Sequence, residues 1–177
     1  MNRNDPKLRP VPGFPDYYVN EEAGEIWSFK VYKHGHLMKP QVTSRWDGRP
    51  SRTGVSLVRD GKQYNRTISR LVMNITDPTI IVDHINRDVF QNQKSNLRPA
   101  TPQKSNYNRK YSSKTGFRGV QSYLSIFRAR LWTGKKLLHL GIYSNIYEAA
   151  AVRNVEASKI QGEFAIYNKV DGLILTL

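Results

Sequence analysis

Hydrophobic and polar positions alternate with the period of a strand through residues 8–68, and again through 116–143 before a helical stripe takes over. Early in the first stretch Pro10, Pro12, Gly13 and Pro15 bar a helix, because proline fixes φ and has no N–H to donate. Tyr17-Tyr18-Val19 then leads through Ala23-Gly24-Glu25 to Ile26-Trp27-Ser28-Phe29, the pattern of a small hairpin. A second hairpin is predicted over 55–68 with Asp60-Gly61 at its turn, since that pair accepts the positive φ angles of a tight connection. Residues 116–168 predict three strands and one helix. Thr133-Gly134 turns a hairpin, Ser144 is placed to cap the helix and Gly162 to end it, and Ile146, Ala149, Ala150 and Val155 form its apolar stripe. Alternation in 126–132 sends Phe127, Ala129 and Leu131 toward that helix and Arg128, Arg130 and Trp132 outward. A solvated charged face has no need of Trp132, whereas a nucleic-acid surface does.

Between the two patterns lies VDHINRDVFQNQKSNLRPATPQKSNYNRK, residues 82–110. The β-branched run Ile80-Ile81-Val82 predicts a strand that delivers Asp83 and His84 at its end, and Thr101-Pro102 opens a helix through Gln103, Lys104, Ser105, Asn106 and Tyr107. A carboxylate binds hard divalent cations through oxygen, and an imidazole takes a proton near neutral pH. Those types suit metal-assisted phosphodiester cleavage. His34, His36 and His139 lie elsewhere, and Lys33-His34-Gly35-His36 has no neighbouring carboxylate or cysteine to complete a metal site.

Charge narrows the partner. Lys and Arg number 28 against 14 Asp and Glu, a formal +14 on 177 residues, which suits a polyanion. A mean hydropathy of −0.60 and the lack of a run of about 18 apolar residues argue against a membrane span. The opening MNRNDPKLRP has no apolar signal core and the chain has no cysteine, so a soluble intracellular protein is expected. No phosphate-binding glycine loop, dinucleotide fingerprint or serine elbow occurs, and no small-molecule cofactor is expected. The polar, basic RKYSSKT at 109–115 is the preferred linker. The fold expected is α+β in small modules: N-terminal β-hairpins over 1–68, a ββα-metal centre over 69–110, and over 111–177 a three-stranded antiparallel sheet packed on one helix.

In DHINRDVFQNQKSNLRPAT the chain resembles HNH nucleases of the phage and intron homing-endonuclease type. By that resemblance Asp83 ligates Mg²⁺ or Mn²⁺, His84 is the general base and Asn96 orients the histidine loop. The family's metal-binding Asn or His on the helix falls at Ser105, with Asn106 one step later. Adjacent helical residues point about 100° apart, so either Asn106 is the catalytic ligand or Ser105 fills a weakened position. The resemblance implies a site-specific endonuclease that nicks one strand of double-stranded DNA per centre, as monomer or homodimer, phage-encoded and acting in the cytoplasm of its bacterial host. The alternative is a sequence-specific DNA-binding protein with a weak or inactive centre, and a ribosome-type RNA binder explains the charge but not the Asp-His loop.

GFRGV, FRARL, HLGIY, EAAA and GEFAIYN, in 114–168, resemble the plant ethylene-response-factor type of DNA-binding domain. That likeness assigns Arg118, Gln121, Tyr123, Arg130, Trp132 and His139 to the groove-facing sheet, with Arg128 added by alternation. Gln121 and Tyr123 stand where plant members often carry arginines, so the plant target does not transfer. RPVPGFPDYYVNEEAGEIWSFK and GVSLVRDGKQYNRTISRLV are similar to the modular DNA-binding motif that precedes many phage HNH centres, with Ser69 in place of its usual final histidine.

Overall fold

The computed structural model describes residues 1–170. The last residues of the expected third module, 171–177, lie outside the described residues. The chain divides into two compact units, Met1–Thr101 and Pro102–Leu177. It is a mixed α+β protein of several small sheets and few helices.

In the first unit β1 (Leu8–Val11), β2 (Phe14–Asn20), β3 (Glu25–Ser28) and β4 (His36–Leu37) form an antiparallel sheet in chain order. A second sheet joins β5 (Gln41–Ser44), β6 (Pro50–Arg59) and β7 (Lys62–Thr67). Asp60 and Gly61 at the β6–β7 turn have φ of 50° and 71°, the positive pair that the Asp-Gly dipeptide predicts. Helix α1 (Ile68–Val72) follows, and then a ribbon of β8 (Ile81–His84) and β9 (Leu97–Ala100). Val11, Phe14, Tyr17, Val19 and Ile26 share one buried cluster with Val55, Leu57, Ile68, Val72 and Leu97. One core therefore underlies residues that the sequence divides between an arm and a nuclease centre.

The second unit opens with α2 (Pro102–Tyr107), whose first position is the proline that Thr101-Pro102 predicts there. Strands β10 (Val120–Tyr123), β11 (Ile126–Trp132) and β12 (Leu137–Tyr143) form a three-stranded antiparallel sheet, followed by α3 (Ile146–Gln161). Ala129 of β11 packs with Ala149 and Ala150 of α3, all fully buried. Such small contacts let sheet and helix approach closely. The cap of α3 is Asn145 and not Ser144: its side-chain oxygen accepts the Tyr147 N–H at 2.8 Å, satisfying a donor of the first turn. Gly162 ends the helix with φ 54°. Val155 is only half-buried, and the buried face runs instead through Ala151, Arg153, Ala157 and Gln161.

Tyr107 and Gln103 of α2 both donate to the Thr133 carbonyl, at 2.5 and 2.9 Å, which ties α2 to the β11–β12 turn. The boundary between the units accordingly falls before α2, upstream of the basic linker that composition favours.

Candidate active site

Strand β8 places Asp83 and His84 as its last two residues, opposite Arg98 and Leu97 of β9. Successive strand residues face opposite ways, so the two side chains leave on different sides of the ribbon. Asp83 is buried, and its Oδ2 accepts from Arg98 Nε at 3.1 Å and Nη2 at 3.0 Å. Burying a carboxylate unpaired is expensive, so the cross-strand guanidinium is what allows Asp83 to sit there. Nothing in the local pattern of the chain marks Arg98 as its partner. Only the β8–β9 register does.

Beyond His84 the chain runs through a polar loop, 85–96, held by its own side chains. Asn96 Oδ1 accepts the Asn86 N–H at 3.1 Å, while its Nδ2 donates to Asn86 Oδ1 at 2.9 Å and to the Gln91 carbonyl at 2.8 Å. Its backbone carbonyl accepts the Ile85 N–H at 2.8 Å. Asp88 takes the Phe90 N–H and the Gln91 side-chain amide. The loop's shape is thus fixed from inside.

The imidazole meets a residue that the sequence does not single out. His84 Nε2 lies 3.3 Å from Oδ1 of Asn92, itself only 4% exposed. The Asn92 Nδ2 sits 2.9 Å from Thr53 Oγ1, 3.4 Å from the Val89 carbonyl and 3.3 Å from the Phe90 carbonyl. Carbonyls only accept, so the amide nitrogen must face them and the amide oxygen must face the histidine. An amide oxygen only accepts as well, so Nε2 is the ring nitrogen that donates to Asn92. Thr53 completes the chain by donating to the Val89 carbonyl at 3.2 Å.

Gly24 supports the same loop from the β2–β3 turn. Its φ is +71°, and a Cβ there would stand 2.4 Å from the Asn92 carbonyl carbon. Both conditions require glycine. Nearby, Glu21 accepts from Arg9 Nε and Lys94 Nζ, each at 2.5 Å, and its carbonyl takes the Lys94 N–H. The Lys94 and Arg9 hydrogen bonds hold the Glu21 carboxyl below its ordinary pKa.

No three His, Cys, Asp or Glu side chains converge to hold a metal ion among the described residues. That excludes a zinc-type cage of such ligands there, but a single carboxylate fits Mg²⁺ or Mn²⁺, which keep several waters and share their shell with phosphate oxygens. His34 and His36 are exposed; His34 stacks on Tyr32 and His36 meets it edge-on, apart from any carboxylate cluster among the described residues.

Ser105 and Asn106 lie on α2, in the second unit. Asn106 lines a cavity of about 280 Å³ there with Arg118, Gln121, Arg130 and Trp132, and Ser105 is not among its lining residues. On the sheet Gln121 pairs with Arg128, and Arg130 with His139. Arg128 lies over the Tyr123 ring at 5.1 Å, and Tyr123 and Trp132 are exposed. Ala129 and Leu131 are buried as alternation predicts, and Phe127 packs against the helix-side cluster. Arg118 is engaged within its own unit, donating to the Arg109 carbonyl at 2.7 Å and lying over Tyr111. Arg153 is fully buried and hydrogen-bonds the Ile166 carbonyl; burial, with the nearby Arg118 charge, presses its pKa down to about 10.

An uncharacterized HNH endonuclease of Acanthamoeba polyphaga mimivirus is 32% identical to this chain over 139 residues, covering 76% of the chain and 73% of that protein. The chain belongs to the HNH endonuclease family. Membership implies a nuclease. A solved structure, of DNA binding and cleavage by the HNH homing endonuclease I-HmuI, is also similar, with 26% identity and a TM-score of 0.43. It covers 53% of this HNH chain and 52% of its own, so the match spans about half of that enzyme. No family model matches. Among the described residues no helix is long and apolar enough to cross a membrane.

Proposed function

We propose that this HNH protein is a site-specific endonuclease that hydrolyses DNA phosphodiester bonds, one strand per centre. The observation that carries this reading is the β8 end itself: Asp83 held by Arg98, and His84 held through Nε2 by an amide that cannot flip. His84 takes the proton from the attacking water, and Asn92 orients the ring for that transfer. Asn96 acts one step back, by fixing the loop that carries both residues. Asp83 would hold Mg²⁺ or Mn²⁺, which when bound neutralises charge at the scissile phosphate. Strand nicking follows from one centre, and a double-strand break needs a second centre or a second event.

Duplex recognition is assigned to the sheet of the second unit, whose outward Arg128, Arg130, Trp132 and His139 combine positive charge with an aromatic plane. Gln121 and Tyr123 extend that face, and Arg118 borders it. The resemblance to the ethylene-response-factor domain supports this reading, as does the exposure of Trp132 and Tyr123.

Supercoiled plasmid incubated with Mg²⁺, Mn²⁺ or EDTA tests the assignment. The wild-type chain is expected to relax it only with a divalent ion, and His84→Ala to lose about 10²–10⁴-fold in rate while keeping its DNA affinity. Undiminished cleavage by His84→Ala would remove the histidine from the mechanism.

A further inference from the structure

Residues 39–50 are exposed without interruption, and they form the outer part of the β5–β6 hairpin. Its tip is an ordered turn. The Gly48 N–H reaches the Arg45 carbonyl at 3.0 Å, the Arg45 N–H reaches the Arg49 carbonyl at 2.8 Å, and Asp47 Oδ1 accepts the Arg49 N–H at 3.1 Å. Gly48 supplies the positive φ, 76°, that the turn needs. At that tip Trp46 is 99% exposed, so a large aromatic ring is presented to solvent with almost no contact to its own chain.

The charge around it is one-sided. Lys39, Arg45, Arg49 and Arg52 face a single acid, Asp47, which pairs with Arg49 at 3.7 Å. Elsewhere in this unit arginines are used internally, as Arg9 is on Glu21 and the Leu71 carbonyl, and Arg70 on the Ile80 and Asp77 carbonyls. Arg45 and Arg52 have no ion-pair partner among the described residues.

We propose that this hairpin is a DNA-inserting finger, with Trp46 stacked against a base or base step and Arg45, Arg49 and Arg52 on the flanking phosphates. A two-stranded ribbon fits the major groove, and an aromatic ring accepts any base on its face. A polyanion fits this tip, because Trp46 is flanked in the chain by Arg45, Asp47, Gly48 and Arg49, and four basic residues here stand against one acid. The finger has a further consequence for catalysis. Its strand β6 continues inward to Thr53, buried at the finger's root, whose hydroxyl holds the Asn92 amide that faces His84. DNA gripped by the finger is therefore gripped by the same strand that braces the catalytic loop.

The proposal rests on the reading of the chain as a DNA-binding nuclease, and the test separates the two. Duplexes of about 40 base pairs are selected from a random-centre pool by the full wild-type chain. Binding is then compared for the wild type, Trp46→Ala and Arg45→Ala/Arg52→Ala, with thermal melting as the check on folding. Trp46→Ala is expected to weaken binding on the order of tenfold with an unchanged salt dependence, since stacking carries no counterion release. The double arginine variant should weaken binding and lower the slope of log affinity against log salt by about 2. Tryptophan emission should be quenched by the duplex in the wild type and distinctly less in Trp46→Ala. Wild-type affinity in both variants overturns the finger and leaves the nuclease reading standing. Failure of the wild type to select any duplex overturns both. Binding of Trp46 to phosphatidylserine vesicles, or dimerisation lost in Trp46→Ala, with duplex affinity unchanged, assigns the ring to another partner and overturns the finger.

Discussion

The His84 loop of the first unit and the sheet of the second reach order by opposite routes. Residues 85–96 have little apolar burial and are held by a web of amide and carboxylate hydrogen bonds, with Asn96 and Asn92 as its two hubs. The sheet is positioned by a period-two pattern that buries Ala129 and Leu131 against α3 and leaves the other face free to vary. A polar web aims one side chain closely, because each donor has a fixed acceptor. An alternating face presents several side chains at once and tolerates exchange among them.

The largest effects should come from removing an oxygen or an aim at the centre. If Asn106 is the oxygen donor of α2, Asn106→Ala abolishes metal-dependent plasmid cleavage and Ser105→Ala leaves much of it. If Ser105 holds the weakened position, Ser105→Asn instead raises the wild-type rate. Equal, vigorous cleavage by wild type and both alanine variants would take α2 out of the metal site. Next in size is the aim of the histidine. Asn92→Leu removes the acceptor at Nε2, and Gly24→Ala pushes the same backbone from the other side. Each should lower the cleavage rate by about 10- to 100-fold with duplex affinity retained, in line with the cost of misplacing a reacting group. Gly24→Ala should also cost about 1–3 kcal/mol in a denaturant melt, because the added methyl meets main chain at a positive φ. An Asn92→Leu variant that cleaves at the wild-type rate would show that the web holds the loop but does not aim the imidazole.

The opposite route predicts the opposite phenotype. Arg130→Ala or Trp132→Ala should weaken binding to selected duplexes by about 1–3 kcal/mol if a base-edge contact is lost, while the rate at saturating DNA stays near that of the wild type. Gel-shift affinities unchanged in both would place the DNA elsewhere on the molecule.

How far the sequence could be read follows from the same contrast. The β6–β7 turn at Asp60-Gly61, the Pro102 helix start, the Gly162 stop and the two faces of β11 all follow from local pattern, and the structure has each of them. The α3 cap missed by one residue, since Ser144 and Asn145 are both competent caps and only the helix phase decides between them. Arg98 and Asn92 were out of reach for a deeper reason. Arg98 meets Asp83 across 15 residues through strand register, and Asn92 meets Thr53 across 39 through a packed core. Neither separation has a period. The prominence of Trp46 is out of reach likewise, because what distinguishes it from the buried or half-buried aromatics is exposure, which no local spacing encodes.

The smallest expected effect lies at the edge of the polar web, where Glu21 joins β2 to the segment entering β9 through Arg9 and Lys94. Those two hydrogen bonds lower its pKa in the folded protein relative to the unfolded chain. A carboxyl with a depressed folded-state pKa contributes stability that is fully present above its unfolded value, ordinarily near 4.3, and is lost as pH falls through the folded value. The window is therefore acidic, below about pH 5, and stability at neutral pH is unaffected by further increase. Glu21→Gln keeps the shape but removes the charge, so it should cost about 0.5–1 kcal/mol at pH 7, the scale of a partly exposed ion pair. The same substitution should cost almost nothing near pH 2, where the wild-type carboxyl is protonated too. Urea melts of the two chains at pH 7 and pH 2 measure the difference directly. A cost that stays constant across both would mean that Glu21 acts through packing, and that the web around His84 ends at Asn92 and Asn96.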